Sequence, residues 1–577
     1  MSLLALTAVT VPAGGWAAHL GLGARDHLEA TRNALLRLRT VAASGDLELT
    51  AGPLREARWH AAEAGRLTGG PDWSLIAHAP MVGGIATTVR GLAESAVELT
   101  DVLADVRQAG AAVLTARTRT GDTGRLLTAL DGAAPVLDDS ATRLGRAGAR
   151  LAATPAGTGV DELDRARSTA LREIDRLRDG LGDAATAAAL LPPLLGGHGP
   201  RRYFLAFQTN AEARGTGGMV GAFGILTADA GEIRVGRFSA QTGTIASPVP
   251  VVDHGARFRE HYGPYATRLL SVSNLSPHFP YAAAAWTGLW ERRHHLRLDG
   301  AIATDPVGLS YLLELIGPVT LPGGEAVTAA NVVDLTERQA YARYPDPAER
   351  KRFLIGIAAA VSRRLPTAFT DPVRLLPVMT RMVRERRVQV WSRRDDEQRL
   401  LAATPVGGVL PRRPGPFAGL VVNNSAGGKL DYYLKRSVGY ELGRCLGGIG
   451  LRLSEVRIRL TNDVPRGELP SYVTNRLDST RDRHAPGANL SWVSLYAAVG
   501  TKVRAVWLDG ERVPVTRNEE RSHPVYSTLV EFAPRQTRTL EFELAEPVSA
   551  EPPVVPVQPL VHPQRTRITE DRRGCAS

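Results

Sequence analysis

From Arg25 to about Leu195 the positions that would face a core recur every three or four residues. Leu28, Thr31, Leu35 and Leu38 form one such row, and Leu163, Ala166, Ala170, Ile174 and Leu177 form another. This period predicts long amphipathic helices. Turn-forming residues interrupt it at Gly69-Gly70-Pro71, at Pro80, at Thr120-Gly121-Asp122 and at Thr154-Pro155-Ala156-Gly157. Asp161, ahead of Glu162-Leu163, reads as a helix cap. Residues 25–195 are therefore expected to form a helical bundle or stalk, and Leu191-Pro192-Pro193 with Gly196-Gly197-His198-Gly199-Pro200 to form a linker.

Beyond the linker the pattern shortens. Tyr203–Phe207 is a strand candidate, followed by polar residues and a glycine-rich run from Gly215 to Gly224. Ile225–Thr227 and Ile233–Val235 flank turn residues as in a hairpin. Ala282–Trp290, Pro306–Ile316 and Pro347–Leu365 read as helices and Gly300–Thr304 as a buried strand. This alternation predicts a central α/β (α+β) domain over 200–400. After Pro411-Arg-Arg-Pro-Gly-Pro416 the period becomes two. Val456, Ile458 and Leu460 alternate with Arg457 and Arg459, Leu540, Phe542 and Leu544 alternate with Glu541 and Glu543, and Asp509-Gly510 marks a tight turn. A β-sandwich is expected over 412–546. The proline-rich residues 547–577 read as a flexible tail. The fold class is thus multidomain α and β, in keeping with 577 residues.

Residues 1–24 contain no Asp, Glu, Lys or Arg. The stretch is long enough to cross a hydrocarbon layer of about 30 Å as a helix, although Pro12, Gly14, Gly15 and His19 dilute it. A single transmembrane anchor is expected there. The arginines at 25, 32, 37 and 39 follow it with no charge before it, which taken literally points the body inward. A start site upstream with a basic leader would reverse that.

The charge balance sharpens the chemistry. There are 70 basic and 59 acidic residues, for a net charge of +11, and only four of the basic residues are lysine. Guanidinium forks suit phosphate and carboxylate groups. No lysine-rich arm or aromatic RNA-binding signature accompanies them, so nucleic acid ranks below an anionic membrane or a phosphorylated ligand. Two cysteines, Cys445 and Cys575, exclude a disulfide framework and a cysteine zinc cluster, and a single bridge would have to tie down the tail.

No phosphate loop, nucleophile elbow or zinc-binding helix motif occurs. Two constellations remain. In Asn210-Ala-Glu212-Ala-Arg214 a carboxylate and a guanidinium leave an apolar strand just before flexible glycines. Strand ends are where α/β domains place ligands; the competing reading is a Glu212–Arg214 ion pair that braces the loop. In Tyr341-Ala-Arg343-Tyr-Pro-Asp346-Pro-Ala-Glu349-Arg350-Lys351-Arg352 four basic side chains surround a helix start, a suitable anion site, or else a solvated first turn. His294-His295 has no third ligand in view and reads as exposed.

The run Tyr203–Gly224, Ser273-Asn-Leu-Ser-Pro-His-Phe-Pro280, Leu298-Asp-Gly-Ala-Ile-Ala-Thr-Asp-Pro306 and Gly317-Pro-Val319 resemble a bacterial domain-of-unknown-function family, number 4012. So do Asp72-Trp73, Ala79–Gly83, Asn423-Asn424 and Gly427–Leu434, which extends the likeness over nearly the whole chain. The resemblance implies a single-pass envelope protein of Gram-positive bacteria, its bulk outside the cytoplasm. The motif order in 200–365 also resembles the LytR-CpsA-Psr family, which transfers glycopolymers from polyprenyl-pyrophosphate lipids. By that likeness Arg214 matches its first arginine, and Arg343, Asp346, Arg350 and Arg352 its second set. Relatives follow the first arginine with an acidic residue that helps hold magnesium, whereas here Gly215-Thr216 follows. Glu212 or Asp346 would then hold the cation.

Two functions are therefore expected. The first is an anchored envelope protein that binds a polyprenyl-(pyro)phosphate or glycan through Asn210, Glu212, Arg214, Arg343, Arg350 and Arg352, acting by binding or scaffolding in polysaccharide assembly. The alternative is a phosphoglycosyl transferase with Arg214 and Asp346 catalytic and Glu212 and Asp346 on magnesium. The departure after Arg214 places binding first.

Overall fold

In a computed structural model, residues 3–42, 47–80, 82–118, 123–240, 243, 245–365, 372–412, 414–446, 450–466, 469–478, 484 and 486–575 are described. The expected break at Thr120-Gly121-Asp122 lies outside them. The chain divides into two compact units, Met1–Pro200 with Asp229–Gly231, and Arg201–Ala228 with Glu232–Ser577.

The first unit is helical: α1 (Leu3–Ala42), α2 (Ala51–Gly69), α3 (Pro71–Ala77), α4 (Gly83–Thr118), α5 (Thr123–Ala152) and α6 (Asp161–Leu194). The three-and-four spacing seats Val102, Leu144, Leu151 and Ile174 in a shared core, with Leu171 and Leu177 packed against it. Arg143 on α5 reaches Glu98 at 2.6 Å and Asp105 at 2.7 Å, both on α4. Helix α6 runs on through Pro192 and Pro193, so these prolines close a helix where a linker was expected.

The anchor expectation is corrected here. Residues 3–24 open the 40-residue α1, which continues straight into charged sequence. Among the described residues no helix is long and apolar enough to cross a membrane. A span needs about 20 predominantly apolar residues, and Pro12, Gly14, Gly15 and His19 fall within this one. The single-pass topology and the membrane localisation read from residues 1–24 therefore lose their basis.

The second unit begins with a five-stranded sheet. In it β3 (Glu232–Val235), β2 (Gly217–Asp229), β1 (Arg201–Arg214), β4 (Gly300–Thr304) and Val388–Ser392 lie side by side in that order. β1 runs antiparallel to β2 and parallel to β4. After α7 (Ala256–Tyr262), helix α8 (Phe279–His294) covers one face, burying Phe279, Trp286 and Leu289 against Phe204, Phe223 and Ala301. On the alternate face Phe207 packs toward Leu309 and Leu313 of α9 (Pro306–Ile316) and Ile357 and Val361 of the helix Pro347–Arg364. Asp305 caps α9 through the Gly308 N–H at 2.7 Å and pairs with buried Arg387 at 2.8 Å.

The period-two segments form a six-stranded and a four-stranded sheet. Val456, Ile458, Leu460, Leu540, Phe542 and Leu544 of the first share a buried core with Val422, Val493, Leu495 and Phe532 of the second, while Arg457 and Arg459 stay exposed. Asp509 and Gly510 turn between paired strands with φ of 53° and 87°, the left-handed pair of a tight hairpin.

The flexible tail is also corrected. Gln558 and Leu560 are buried, strand Arg565–Glu570 adds parallel to Leu434–Leu446, and Cys575 is disulfide-bonded to Cys445. That strand is exposed at every position, so backbone pairing and the disulfide hold it rather than apolar burial. Reduction is expected to release it. Trypsin should then cut after Arg565 and Arg567 in the reduced protein, while the oxidised protein resists. Equal cleavage rates in the two forms, read by mass spectrometry, would contradict this role.

Candidate functional site

β1 and β2 pair from Arg201↔Ala228 to Thr209↔Met219, with one shift between Phe207 and Gln208 that skips Gly221, and resume at Ala213↔Gly218. Asn210, Ala211 and Glu212 thus have no counterpart on β2, and their inward backbone donors need acceptors. Buried Glu337 supplies one set, accepting from the Ala211 N–H at 2.7 Å, the Asn210 N–H at 3.2 Å and the Thr209 hydroxyl at 2.9 Å. Burial raises its carboxyl to about 7, against those hydrogen bonds. Asp431 accepts the Ala213 N–H at 2.9 Å and the Asn424 and Asn489 amides at 2.7 and 2.8 Å. The following glycines permit close approach. A Cβ on Gly218 would meet the Thr209 carbonyl oxygen at 2.0 Å, and one on Gly215 the Leu275 oxygen at 2.2 Å. They are used in packing the hairpin.

The expected ligand residues fall into separate places. Asn210 donates to the Pro559 carbonyl at 3.0 Å. Glu212 is buried in an ion pair with Lys429. Arg214 is buried and donates to the carbonyls of Ala213 and Asn424 at 2.9 and 3.3 Å. Burial lowers its guanidinium to about 10, with Asp431 opposing. Arg343 pairs with Glu325 at 2.6 Å. Asp346 caps the helix Pro347–Arg364 through the Ala348 and Glu349 N–H groups at 3.1 and 3.3 Å. Arg350 donates to the Tyr344 carbonyl at 2.9 Å and lies 3.9 Å over the Tyr472 ring. Arg352 is exposed, 3.8 Å from Glu349.

Glu212 and Arg350 do approach one another's surroundings. Lys429 lies 5.5 Å from the Tyr472 ring that Arg350 covers. Among the described residues, however, Arg214 shares no hydrogen-bond partner with Arg343, Arg350 or Arg352: it reaches the carbonyls of Ala213, Asn424 and Ser271, whereas the other three meet Glu325, the Tyr344 carbonyl and Glu349. Glu212 and Asp346 are each used elsewhere, and no group of three potential metal ligands occurs among the described residues.

A different arrangement is open. A pocket of about 380 Å³ lies between β2, the segment after β3 and the end of α8, lined by Phe223, Arg237, Ser239, Trp290, Arg293 and His294 among others. Trp290 and His294, one helical turn apart, stack with ring centroids 3.9 Å apart and planes 27° from parallel. Trp290 Nε1 is buried with no hydrogen-bond partner among the described residues. Arg237 and Arg293 are exposed, and among the described residues neither forms an ion pair. Partial burial, then Arg293 and His295, keep His294 below its usual pKa. The Trp-x-x-x-His spacing was visible in the sequence; its meeting with Arg237, 53 residues earlier, was not.

The fold is that of a mixed α and β protein with an arginine-rimmed aromatic pocket. Residues 198–341 match the model of the family described as protein of unknown function DUF4012. This supports the resemblance over a narrower span than expected, one that contains every residue of the pocket but not Arg343, Asp346, Arg350 or Arg352. The LytR-CpsA-Psr likeness gains no support. No curated protein matches the chain. A crystal structure from Legionella pneumophila, of a protein described as nutrient binding, is 9% identical over 23% of this chain and 44% of that one. Its TM-score of 0.15 is too low to bear on the fold.

Proposed function

We propose that the second unit binds an anionic glycan in the Trp290–His294 pocket and serves a binding or scaffolding role in handling such a polysaccharide. The observation that carries this reading is the joint presence, around one open pocket, of an aromatic stack, an indole N–H without a hydrogen-bond partner and two arginines without an ion pair among the described residues. Pyranose rings present apolar C–H faces to aromatic side chains, hydroxyls accept a buried N–H, and guanidinium groups take carboxylate or phosphate substituents. The transferase reading needs arginines free to meet a leaving diphosphate. Arg214 and Arg350 instead donate to backbone carbonyls, which favours binding.

Isothermal titration with oligogalacturonate and with neutral maltohexaose tests it. The acidic oligosaccharide should bind and the neutral one should not. The Arg237→Ala/Arg293→Ala variant, altered only at exposed positions, should bind at least about tenfold more weakly, as expected for the loss of charge-assisted contacts. Unchanged affinity in that variant, or binding of a polyprenyl phosphate in place of the glycan, would overturn the assignment.

A further inference from the structure

A second cavity, of about 130 Å³, is bounded by Leu410, Phe417, Leu420, Val421 and Val557, with Arg386 as its cationic residue. Arg386 Nη2 donates to the carbonyls of Pro277 at 3.3 Å and Gly408 at 3.2 Å. Its Nε and Nη1 have no partner among the described residues. Arg386 is half-buried, and desolvation with no opposing carboxylate lowers its guanidinium to about 10. The charges nearby are largely of the same sign: burial first, then Arg521, His254, Arg386 and Arg412, holds His278 well below its usual pKa. Glu520, next to Arg521 in sequence, already accepts from Tyr262, Tyr496 and Ser276. Tyr496 also lines the cavity, and its hydroxyl is engaged by Tyr262 at 2.6 Å and Glu520 at 2.8 Å.

Arg386 has φ of 57°, just beyond the helix Pro372–Arg384, where the left-handed conformation favours glycine. The Arg386 and Arg387 N–H groups bond back to the Val383 and Met382 carbonyls at 3.0 and 2.7 Å, which closes the helix and leaves a cation with unspent donors beside the cavity.

We propose that this cavity binds a small monocarboxylate, its two oxygens on the free donors of Arg386 and its apolar tail against Leu410, Phe417 and Val421. A void of about 150 Å³ lined by Leu, Ile and Phe admits benzene, so this smaller one, of about 130 Å³, suits an apolar tail of no more than about five carbons. One guanidinium with no second cation in the lining suits a single negative charge. The carboxylate can belong to a free short-chain acid or to the end of a peptide.

Calorimetry on the full chain distinguishes these sources and tests the site. The probes are hexanoate, hexanol, and a tripeptide ending in leucine with a free or amidated terminus. Hexanoate is expected to bind at least tenfold more tightly than hexanol. Arg386→Gly, which suits the left-handed backbone, should weaken hexanoate at least tenfold, and Val409→Phe, which intrudes on the void, at least fivefold. Both variants should keep a cooperative thermal transition without ligand, and Arg237→Ala/Arg293→Ala should bind hexanoate as the parent does. Tighter binding of the free-terminus peptide than of hexanoate would assign the site to a chain terminus. Equal affinity for hexanoate and hexanol, or unchanged hexanoate binding in Arg386→Gly, would overturn the proposal.

Discussion

Replacing Asp431 with alanine is expected to lower the unfolding free energy of the second unit by about 4 kcal/mol, the range for removing one partner from a buried charge network. Asp431 is fully buried and holds three donors, the Ala213 N–H and the amides of Asn424 and Asn489. It is also the carboxylate that offsets the buried Arg214. Alanine would strand all of these at once, and each stranded neutral donor costs about 1–3 kcal/mol less any relaxation. Asp431→Asn keeps an acceptor and the shape while losing the charge, so it should fall between parent and alanine. Urea unfolding followed by tryptophan fluorescence reads both. A loss under about 1 kcal/mol in the alanine variant would mean that the surrounding loops repartner freely.

Glu337 should give the next largest effect, and one that depends on pH. Glu337→Ala leaves two backbone N–H groups and a hydroxyl without acceptors, for an expected loss of about 3 kcal/mol. The sign of the pH dependence follows from its raised carboxyl, about 7 in the folded protein against an ordinary value of 4.5. Between those two values the folded state keeps a proton that the unfolded state has released. Stability is therefore highest below the unfolded value and falls as pH rises toward 7, by at most about 3 kcal/mol from this group. Asp431, Glu520 and Glu546 are raised by burial as well and act in the same direction. The comparison of parent with Glu337→Gln isolates the single contribution: the variant should show a flatter slope of unfolding free energy between pH 5 and 7. Parallel slopes would place the titration elsewhere.

Local patterns were readable where burial repeats with a fixed period. Val456, Ile458 and Leu460 face one core because a strand turns every second side chain inward, and the same logic recovered the bundle helices. The site residues failed on long-range partnership. Arg214 has the appearance of a ligand fork, yet its acceptors include the Asn424 carbonyl, 210 positions away. Glu212 suggests a metal ligand or a brace to Arg214, and instead meets Lys429. Glu337 carried no signal at all, because its role is set by a bulge that only the pairing of β1 with β2 creates. The strand Arg565–Glu570 was invisible for a different reason: every one of its side chains is exposed, so no hydrophobic rhythm marks it. His294 was placed as exposed, but its stacking on Trp290 needed the helix register to be known.

Gln558 has consequences for how the chain is assembled. Its amide donates to the carbonyls of Arg214 and Val422, and its oxygen accepts from the Val422 N–H. One side chain thus stitches the end of β1 to a sandwich strand some two hundred residues later. During synthesis both partners leave the ribosome long before the stitch does, and they must wait with those polar groups unmatched. A nascent chain stopped short of residue 558 would be an incomplete object, with an open sheet edge that invites chaperones or neighbouring chains.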